Sequence, residues 1–466
     1  MANSSIDRRD FLKLMGLGTS AVGAGFLAPR IIAKTPNGVL VQSESEYGGF
    51  QVEQLSGKKF PYRYDPDKLK KMSEKFTVFS RNMWDPDRME RPETKENLTQ
   101  INLFDGRGIV PNQTRLDYAL MDAAWHGSRS GGGLSYGWES GRYGMMGRLS
   151  EKLGPWDPSE LDMNWEDASL VVKHASLFYG ASQAGIAELN PLWIYSDSFS
   201  PNREDRSRAI PVLADGDRFE KAEEAWYIPE SMNRVVALAF EENYFGIANS
   251  PGRLASAAVG DGYSRMAFTA NTLAQFIRGL GYSAIPAGNG TGLSIPIAID
   301  AGLGQLGRMG LLMTPKYGPR VRLAKVITDM PLIPDSPIEF GVTEFCESCM
   351  LCAKHCPSSA VSEGPQTWEG QSPSNNPGTY KWYIDVDKCY DFNGFSCSNC
   401  KRVCPFTKPN NSWLHRMLRT IIKGKIDPLN KVMVTLDQAS GYGHQLQDKE
   451  FWKMDGQKCI TSREHM

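Results

Sequence analysis

The stretch from Cys346 to Pro357 reads CESCMLCAKHCP, and it decides how the C-terminal part of the chain folds. Its cysteines, Cys346, Cys349, Cys352 and Cys356, are spaced C-x2-C-x2-C-x3-C, with proline next. This spacing lets one tight loop direct three thiolates at three irons of a single [4Fe–4S] cluster, while the fourth cysteine leads away to a neighbouring cluster. The stretch therefore predicts a segment that folds around two iron–sulfur clusters.

A second run of cysteines supplies the remaining ligands, and its first gap is longer than in the bacterial ferredoxin pattern. Crossed ligation between the two runs gives two sets of four thiolates. The first set is Cys346, Cys349, Cys352 and Cys404, and the second set is Cys356, Cys389, Cys397 and Cys400. Pro405 closes the second run, as proline closes the first. We expect a ferredoxin-like domain with two [4Fe–4S] clusters over residues 336–410.

Two other uses of cysteine fit this pattern less well. The chain has nine cysteines, and eight of them lie between residues 346 and 404, whereas disulfide cysteines would be scattered to join distant segments. A pair of zinc sites is the alternative, but zinc rarely takes three cysteines at two-residue gaps with a fourth just beyond. Cys459 stands apart, and we assign it no role because a free cysteine is usually a small buried hydrophobe.

Composition bounds the class of protein. The 466 residues are 41% hydrophobic and 23% charged, which is ordinary for a globular chain with one large core or two to three smaller ones. The formal net charge is -1, from 52 Lys+Arg against 53 Asp+Glu. No basic excess exists to neutralise phosphates, so we expect no nucleic-acid partner.

The N-terminus has the features of a targeting segment. Arg8 and Arg9 precede an apolar, Gly/Ala-rich run over residues 14–28 that is shorter than the roughly 20 residues of a membrane span. Twin arginines before a short apolar run indicate a twin-arginine export signal, here residues 1–33, with cleavage after Ala33 or Ala28. That route carries folded proteins, which suits a chain that receives its cofactors before export. No later stretch is long and apolar enough for a membrane helix.

The region between the leader and the cysteines divides into two parts. Residues 34–140 are polar and turn-rich and predict an irregular N-terminal region. Over residues 141–335 strand and helix patterns alternate, which predicts an α/β (α+β) core. We expect helical spacing over 167–189 and a helix over 264–280 that is capped by Ser264, with Gly281 beyond its end. The expected strands are Arg234–Glu241, 282–286, 293–299 and Val321–Thr328. After the clusters, residues 411–466 predict a basic helix over 413–425 and then a polar tail.

One glycine motif in the core is a decoy for dinucleotide binding. Gly302, Gly304 and Gly307 match G-x-G-x-x-G after an apolar stretch. A dinucleotide fold needs a sustained helix after the glycines, but Gly310 and Pro315 leave room for hardly more than two turns. We therefore expect a glycine loop in which Gly302 and Gly304 let the edge of another cofactor pack closely.

Taken together, the twin arginines, a core large enough for a cofactor and the two cysteine runs resemble the respiratory reductive dehalogenases, a family of corrinoid and iron–sulfur enzymes. The resemblance is most specific in the cysteine runs and over residues 262–331, which are similar to the family's corrinoid-binding core with its nitroreductase-like fold. Epoxyqueuosine reductases share the core and the clusters, but they are cytosolic, and the export signal argues against them.

The resemblance implies a catalytic trio of Tyr263, Asn289 and Arg322. Arg320 is the rival of Arg322, because alternation along a strand puts both on the same face. In the implied reaction Tyr263 gives the proton, a nearby arginine makes the tyrosinate less costly, a helix start at Ser264 adds a little in the same direction, and Asn289 holds the phenol or the departing halide.

The resemblance also implies the cofactors. Two [4Fe–4S] clusters would feed a cobalamin-type corrinoid, with electrons entering at the second set of cysteines, and carbon–halogen would be replaced by carbon–hydrogen. None of the six histidines lies in the D-x-H-x-x-G pattern that often ligates cobalt, so we expect the corrinoid to be bound base-off.

The implied partners are a small halogenated organic substrate, a small membrane anchor protein and an upstream respiratory electron donor, at the outer face of the cytoplasmic membrane. Two other functions stay open at this point. One is an exported iron–sulfur reductase with a flavin or a quinone-type substrate. The other is a plain electron carrier, although about 300 residues before the clusters exceed what a carrier requires.

Overall fold

The computed structural model of the chain describes Tyr47, Phe50, 52–55, 61–91, 114–129, 163–199, 207–209, 212–213, 220–221, 226–393, 397–409, 412–422 and 427–453. The predicted export signal at residues 1–33 and Cys459 lie outside the described residues. Within them, no helix is long and apolar enough to cross a membrane.

The α-helices of the described residues are α1 (Val78–Arg81), α2 (Pro86–Met89), α3 (Arg115–Arg129), α4 (Trp165–Phe178), α5 (Tyr244–Ala248), α6 (Arg253–Gly279), α7 (Ser294–Asp300), α8 (Val342–Cys349), α9 (Leu351–Lys354), α10 (Val386–Asn393), α11 (Asn399–Arg402), α12 (Trp413–Ile422), α13 (Asp427–Ala439) and α14 (Asp448–Trp452). Short 3-10 helices span Glu74–Phe76, Pro191–Trp193 and Pro405–Thr407.

The strands of the same residues are β1 (Glu53–Gln54), β2 (Arg63–Tyr64), β3 (Gln183–Glu188), β4 (Asp197–Phe199), β5 (Ser207–Ala209), β6 (Val212–Leu213), β7 (Glu220–Lys221), β8 (Trp226–Pro229), β9 (Arg234–Glu241), β10 (Ala284–Ala287), β11 (Gln305–Leu306), β12 (Leu312–Met313), β13 (Val321–Thr328), β14 (Ile338–Glu339) and β15 (Thr379–Tyr380).

A four-stranded antiparallel sheet in the order β10-β13-β9-β3 forms the centre of the core. Its central strands read RVVALAFE and VRLAKVIT, and both are buried along almost their whole length. Such strands need cover on both faces. Alternate residues of β13 pack on opposite sides, with Leu323 and Ile327 on the α7 side and Ala324 and Val326 on the α6 side. The predicted α/β (α+β) class is confirmed, in its α+β form.

The two predicted central strands are confirmed residue for residue, but several neighbouring predictions are wrong. Residues 293–299 form helix α7 instead of a strand, because this apolar run lies across the sheet face and not at its edge. Helical spacing does not continue to residue 189, since α4 ends at Phe178 and strand β3 follows. The predicted irregular region 34–140 contains helix α3, which packs along α6.

The helix predicted to begin at Ser264 begins at Arg253 instead. The hydroxyl of Ser264 is therefore not a cap; it donates to the main-chain oxygen of Ala124 in α3 at 2.7 Å. Tyr263 lies in the middle of α6, so the helix dipole does not act on it as we had expected from a helix start. The end of the helix is as predicted, with Gly281 in the left-handed conformation just beyond it.

The cysteine runs lie in a second core, formed by helices α8 to α13 and the loops between them. Phe345 and Phe406 are buried there beside the cysteines, and Leu414 and Leu418 of α12 pack against them. The basic helix predicted over 413–425 is confirmed over Trp413–Ile422 as α12, and residues 423–425 lie outside the described residues. The predicted polar tail is wrong in part, because α13 and α14 follow within residues 427–453.

Candidate active site and iron–sulfur centres

Three distant parts of the chain bring Tyr263, Asn289 and Arg322 together. The amide Nδ2 of Asn289 donates to the Tyr263 hydroxyl at 3.0 Å, and Nη1 of Arg322 donates to the same oxygen at 3.3 Å. The Arg322 guanidinium also lies 4.8 Å from the centre of the Tyr263 ring. Two N–H donors, one of them cationic, therefore point at one phenolic oxygen, an arrangement that stabilises negative charge on that oxygen. Asn289 is exposed and Tyr263 is half-buried, so solutes can reach the site.

Two glycines of α6 make room for this arrangement. A Cβ at Gly262 would lie 2.8 Å from Cγ of Arg322, and a Cβ at Gly260 would lie 2.7 Å from the ring of Trp125. Trp125, from α3, stacks on Tyr263 with ring centroids 5.1 Å apart. Trp125 is absent from the residues that the sequence predicts for the site, because helix α3 was not predicted. The signal that could have revealed α3 is the helical spacing of its apolar residues.

Arg322 is oriented by Glu242, which the sequence analysis also missed. Nε of Arg322 contacts Oε1 of Glu242 at 2.8 Å, and Nζ of Lys401 contacts Oε2 at 2.6 Å. Glu242 is fully buried. Burial by itself raises the pKa of this carboxyl, but Lys401 and Arg322 outweigh burial and hold the pKa below its ordinary value. Glu242 is therefore an anion between two cations, one at the active site and one beside Cys400.

The rival Arg320 has a different environment. Its Nη1 pairs with Glu241 at 2.9 Å, and its Nε donates to the main-chain oxygen of Thr407 at 3.1 Å. Arg320 is 2% exposed, and these contacts join the sheet to the segment that follows Cys404. The structure thus places Arg322, and not Arg320, against Tyr263.

The eight clustered cysteines separate in space into the two sets that crossed ligation predicts. For Cys349, Cys352, Cys389, Cys397, Cys400 and Cys404, burial is the first cause of the pKa shift and other thiols are among the further causes. These thiol neighbours belong to the same set except in one pair. The pKa of the Cys404 thiol is raised by burial and also by the thiols of Cys346, Cys349 and Cys352, which belong to the first run. The one pair that crosses between the sets is Cys352 with Cys400, so the two sets are adjacent.

The first set lines a cavity together with Arg308 and Phe345, and the residues around it fit an iron–sulfur cluster. Its four cysteines are buried, and burial raises the pKa of the Cys346 thiol to about 11. The free thiol therefore keeps its proton at neutral pH and loses it when it binds a metal. The guanidinium of buried Arg308 also lines the cavity and donates to the main-chain oxygen of Cys346 at 3.0 Å. A cation there offsets the negative charge of thiolate ligands.

The second set lies nearer the surface. Cys389, whose gap departs from the ferredoxin pattern, is exposed. The pKa of its thiol is nonetheless raised by burial and, after burial, by Cys400, Cys397 and Cys356. The sulfur of Cys356 accepts from the main-chain N–H of Ala360 at 3.3 Å, the kind of contact that orients a metal ligand.

In the described part of the chain, no three His, Cys, Asp or Glu side chains converge closely enough to bind a single metal ion. A zinc site would need its sulfurs all about 2.3 Å from one ion.

The two predicted cofactor-contacting glycines pack against the protein's own main chain. A Cβ at Gly302 would lie 2.5 Å from the oxygen of Ser336, and one at Gly304 would lie 2.1 Å from the oxygen of Met313. Gly302 is also left-handed, with φ +72°. These contacts require glycine at both positions without any ligand, and contact of either glycine with a cofactor stays a prediction.

Close to these glycines, Asp300 ends α7 with a carboxylate held by two aromatic side chains. The hydroxyl of Tyr62 donates to Oδ1 at 3.0 Å, and Nε1 of Trp193 donates to Oδ2 at 2.6 Å. Burial raises the pKa of Asp300 to about 6, although both hydrogen bonds act in the opposite direction.

The chain is similar in sequence and in fold to several known proteins. Residues 345–407 match the model of the 4Fe-4S double cluster binding domain. The tetrachloroethene reductive dehalogenase of Sulfurospirillum multivorans is 39% identical over 316 residues, which cover 64% of this chain and 62% of that protein. The enzyme of the same name from Desulfitobacterium hafniense is 39% identical over 301 residues, covering 59% of this chain and 54% of that protein. The chain is related in sequence to the reductive dehalogenases.

The fold of the chain is similar to that of a solved structure whose description reads that a reductive dehalogenase structure suggests a mechanism for B12-dependent dehalogenation. The TM-score is 0.62 at 20% identity, over 87% of this chain and 50% of the other. The chain spans 62% and 54% of the lengths of the two curated relatives named above.

Proposed function

We propose that the protein is a corrinoid-dependent reductive dehalogenase that replaces carbon–halogen by carbon–hydrogen in a small halogenated organic compound. The observation that carries the proposal is the convergence of Asn289 and Arg322 on the Tyr263 hydroxyl, within one chain that also has two sets of four cysteines. The reaction takes up two electrons and one proton and releases halide. The proton needs a donor at the reacting carbon, and the electrons need relay centres.

Tyr263 is the proposed proton donor. Loss of its proton leaves a phenolate, and the N–H groups of Arg322 and Asn289 at 3.3 and 3.0 Å stabilise that charge as it forms. The carboxylate of Glu242 keeps Arg322 in place from the buried side, while Trp125 covers one face of the phenol ring. A group that is held in place in this way loses little entropy when the reaction begins.

A cobalt corrinoid would supply the low-potential electrons that break the carbon–halogen bond. A relative described as B12-dependent supports this part of the proposal. The loop after β10 suits a further bound group, because the hydroxyl of Thr291 is 1% exposed and has no hydrogen-bond partner among the described residues. We propose that residues 289–291 hold one edge of the corrinoid and that Gly302 and Gly304 let another edge of it pack closely. We also propose that the cofactor is bound base-off, because the sequence lacks D-x-H-x-x-G.

The two cysteine sets would hold [4Fe–4S] clusters that relay single electrons. The order in which the two centres work stays a prediction. The predicted boundaries of the chain's segments, after residues 33, 140, 335 and 410, also stay predictions.

The cellular setting is also proposed. The twin arginines support export by the twin-arginine route to the outer face of the cytoplasmic membrane, with peripheral attachment through a small anchor protein and electrons from an upstream respiratory donor. The curated relatives named for tetrachloroethene make chlorinated ethenes the first substrates to test.

The proposal is tested by anaerobic purification, followed by measurement of iron, cobalt, flavin and chloride release from tetrachloroethene with a low-potential dye as reductant. We expect about eight iron and one cobalt per chain, together with chloride release. Flavin without cobalt would indicate the alternative iron–sulfur reductase instead. Iron without either cofactor, in protein that has been supplied with corrinoid, would indicate a plain electron carrier.

A further inference from the structure

A fully buried lysine lies under the loop that carries Asn289. Lys325 is 0% exposed, and its Nζ donates to the main-chain oxygen of Gly288 at 2.5 Å, to that of Gly292 at 2.8 Å and to the hydroxyl of Ser294 at 3.0 Å. An ammonium group has three N–H donors, and all three are used. Among the described residues no carboxylate forms an ion pair with it. The contacts of Lys325 are thus concentrated on one segment, residues 288–294, which we call the Asn289 loop.

The position of Lys325 on β13 explains how it reaches this loop. Lys325 lies opposite Ala287, the last residue of β10, so the loop begins beside it. It shares a strand face with Leu323 and Ile327, whereas Arg322 belongs to the opposite face. One strand therefore sends Arg322 to Tyr263 across one face and sends Lys325 beneath the Asn289 loop across the other.

The Asn289 loop needs an external support because its backbone is strained. Thr291 adopts φ 69°, which is uncommon for a residue that is not glycine. Residues 193–195 bind the C-terminal part of the loop through two main-chain hydrogen bonds. The N–H of Leu293 donates to the main-chain oxygen of Trp193 at 2.8 Å, and the N–H of Tyr195 donates to the main-chain oxygen of Thr291 at 2.9 Å. Asn289 itself is exposed, and on the buried side the main-chain oxygen of its neighbour Gly288 accepts from the ammonium of Lys325 at 2.5 Å and from the Ser294 hydroxyl at 3.3 Å.

Burying this charge has a free-energy cost that apolar packing would not have. Burial lowers the pKa of the Lys325 ammonium to about 7, and Glu74, from the short helix Glu74–Phe76, acts in the opposite direction. The facing residues of the neighbouring strands, Ala237 and Ala287, are uncharged. An apolar side chain would fill the same site without this cost. The lysine provides three directed hydrogen bonds that an apolar side chain could not make.

We propose that Lys325 is a positioning residue that holds the Asn289 loop in the strained conformation from which Asn289 reaches the Tyr263 hydroxyl. The inference deepens the proposed dehalogenation and rests on it, because the role of Asn289 belongs to that reaction. Lys325 lies behind the loop and acts through Asn289.

The test compares Lys325→Met with Ser294→Ala and with the control Ile327→Val on the same strand face. Ser294→Ala removes one of the three acceptor groups of Lys325, together with the hydrogen bond that the Ser294 hydroxyl donates to the main-chain oxygen of Gly288. Backbone hydrogen exchange is measured at residues 292–293 and, as a reference, across β9. In Lys325→Met we expect exchange at least about tenfold faster at 292–293, as one or two lost hydrogen bonds would give, with β9 unchanged. Ser294→Ala should show a smaller effect of the same kind, and Ile327→Val should leave the loop unchanged.

Chloride release then separates positioning from general destabilisation. Lys325→Met should lower kcat about tenfold with little change in KM, since one hydrogen bond to the reacting phenol is worth about 1.4 kcal/mol. In the double variant Lys325→Met/Asn289→Ala, kcat should equal that of Asn289→Ala alone, because Lys325 acts only through Asn289.

The outcomes are distinct. Unchanged exchange at 292–293, in Lys325→Met or in Ser294→Ala if the first variant does not fold, overturns the inference. Faster exchange with wild-type kcat also overturns it, as does a double variant in which the two losses multiply. If the wild-type protein releases no chloride, the proposed function fails, and the exchange result by itself still decides whether Lys325 holds the loop.

Discussion

Gly262→Ala separates the stability of α6 from the activity of the site. Alanine stabilises a helix interior by about 1 kcal/mol relative to glycine, so the local effect on α6 is favourable. The added Cβ, however, would lie 2.8 Å from Cγ of Arg322, which is about 0.6 Å inside ordinary van der Waals contact at 3.4 Å. Because the clash is with the stem of Arg322 and not with its tip, the whole guanidinium has to move.

The size of the effect follows from the contact that is lost. Nη1 of Arg322 is already 3.3 Å from the Tyr263 oxygen, near the long end of hydrogen-bond distances. A displacement of about 0.6 Å would take it to about 3.9 Å, where little of the hydrogen bond remains. A charged hydrogen bond contributes about 1.5–3 kcal/mol, so kcat should fall roughly ten- to 150-fold.

The assay is anaerobic chloride release, with circular dichroism melting and iron content on the same preparations. We expect wild-type iron, a melting temperature that is equal or slightly higher, and the predicted fall in kcat. A folded Gly262→Ala protein with wild-type kcat would show that the Arg322 contact with Tyr263 does not assist turnover, and the proposed proton transfer would have to be abandoned.

Three further predictions concern other parts of the molecule. Tyr263→Phe should keep wild-type iron and cobalt and lose at least about a hundredfold in kcat, as expected for a missing general acid; full activity would exclude it as the donor. Cys404→Ala should hold about four iron per chain in place of about eight, while the matched Cys459→Ala keeps all of them; equal iron in both variants would contradict crossed ligation. Because the folded pKa of Asp300 is raised to about 6 from 3.8, its contribution to stability is present below pH 3.8 and lost as pH rises through 6. Asp300→Asn should therefore flatten the fall of the melting temperature between these pH values. An unchanged slope would show that Asp300 is not the group whose titration causes the fall.

The parts of the site that the sequence predicts are those in which the chemistry is local. Cys346, Cys349 and Cys352 lie within seven consecutive residues, so their spacing alone shows that they can serve one cluster. The trio became visible only through resemblance to a family, because Tyr263 and Arg322 are 59 positions apart. Nothing in the residues around each of them indicates the contact.

The errors in the predicted fold have physical causes. The helix around Tyr263 was predicted to start late, and Gly260 and Gly262, which disfavour helices, lie just before the predicted start. The structure tolerates them because Trp125 and Arg322 occupy the space that side chains would have filled. Tertiary packing thus overrides helix propensity at these two positions. Glu242 and Lys325 were missed for a related reason: burial of a charge is visible only when its partners are known.

Glu241 and Glu242 are adjacent, and each takes part in contacts that join the central sheet to the cluster segment. These contacts connect the proposed proton donor with the proposed electron relay. Glu241 pairs with Arg320, whose other contact is with Thr407 in the cluster segment. Glu242 pairs with Arg322 at the active site and with Lys401, the neighbour of Cys400.

A shift of the cluster segment relative to the sheet would therefore pull on Glu242, and Glu242 would pull on the arginine that supports the phenol. Removing the Glu242 charge leaves two cations facing each other near a buried site, a change that typically costs about 3–5 kcal/mol. On this argument the position of the proton donor depends on correct docking of the cluster segment.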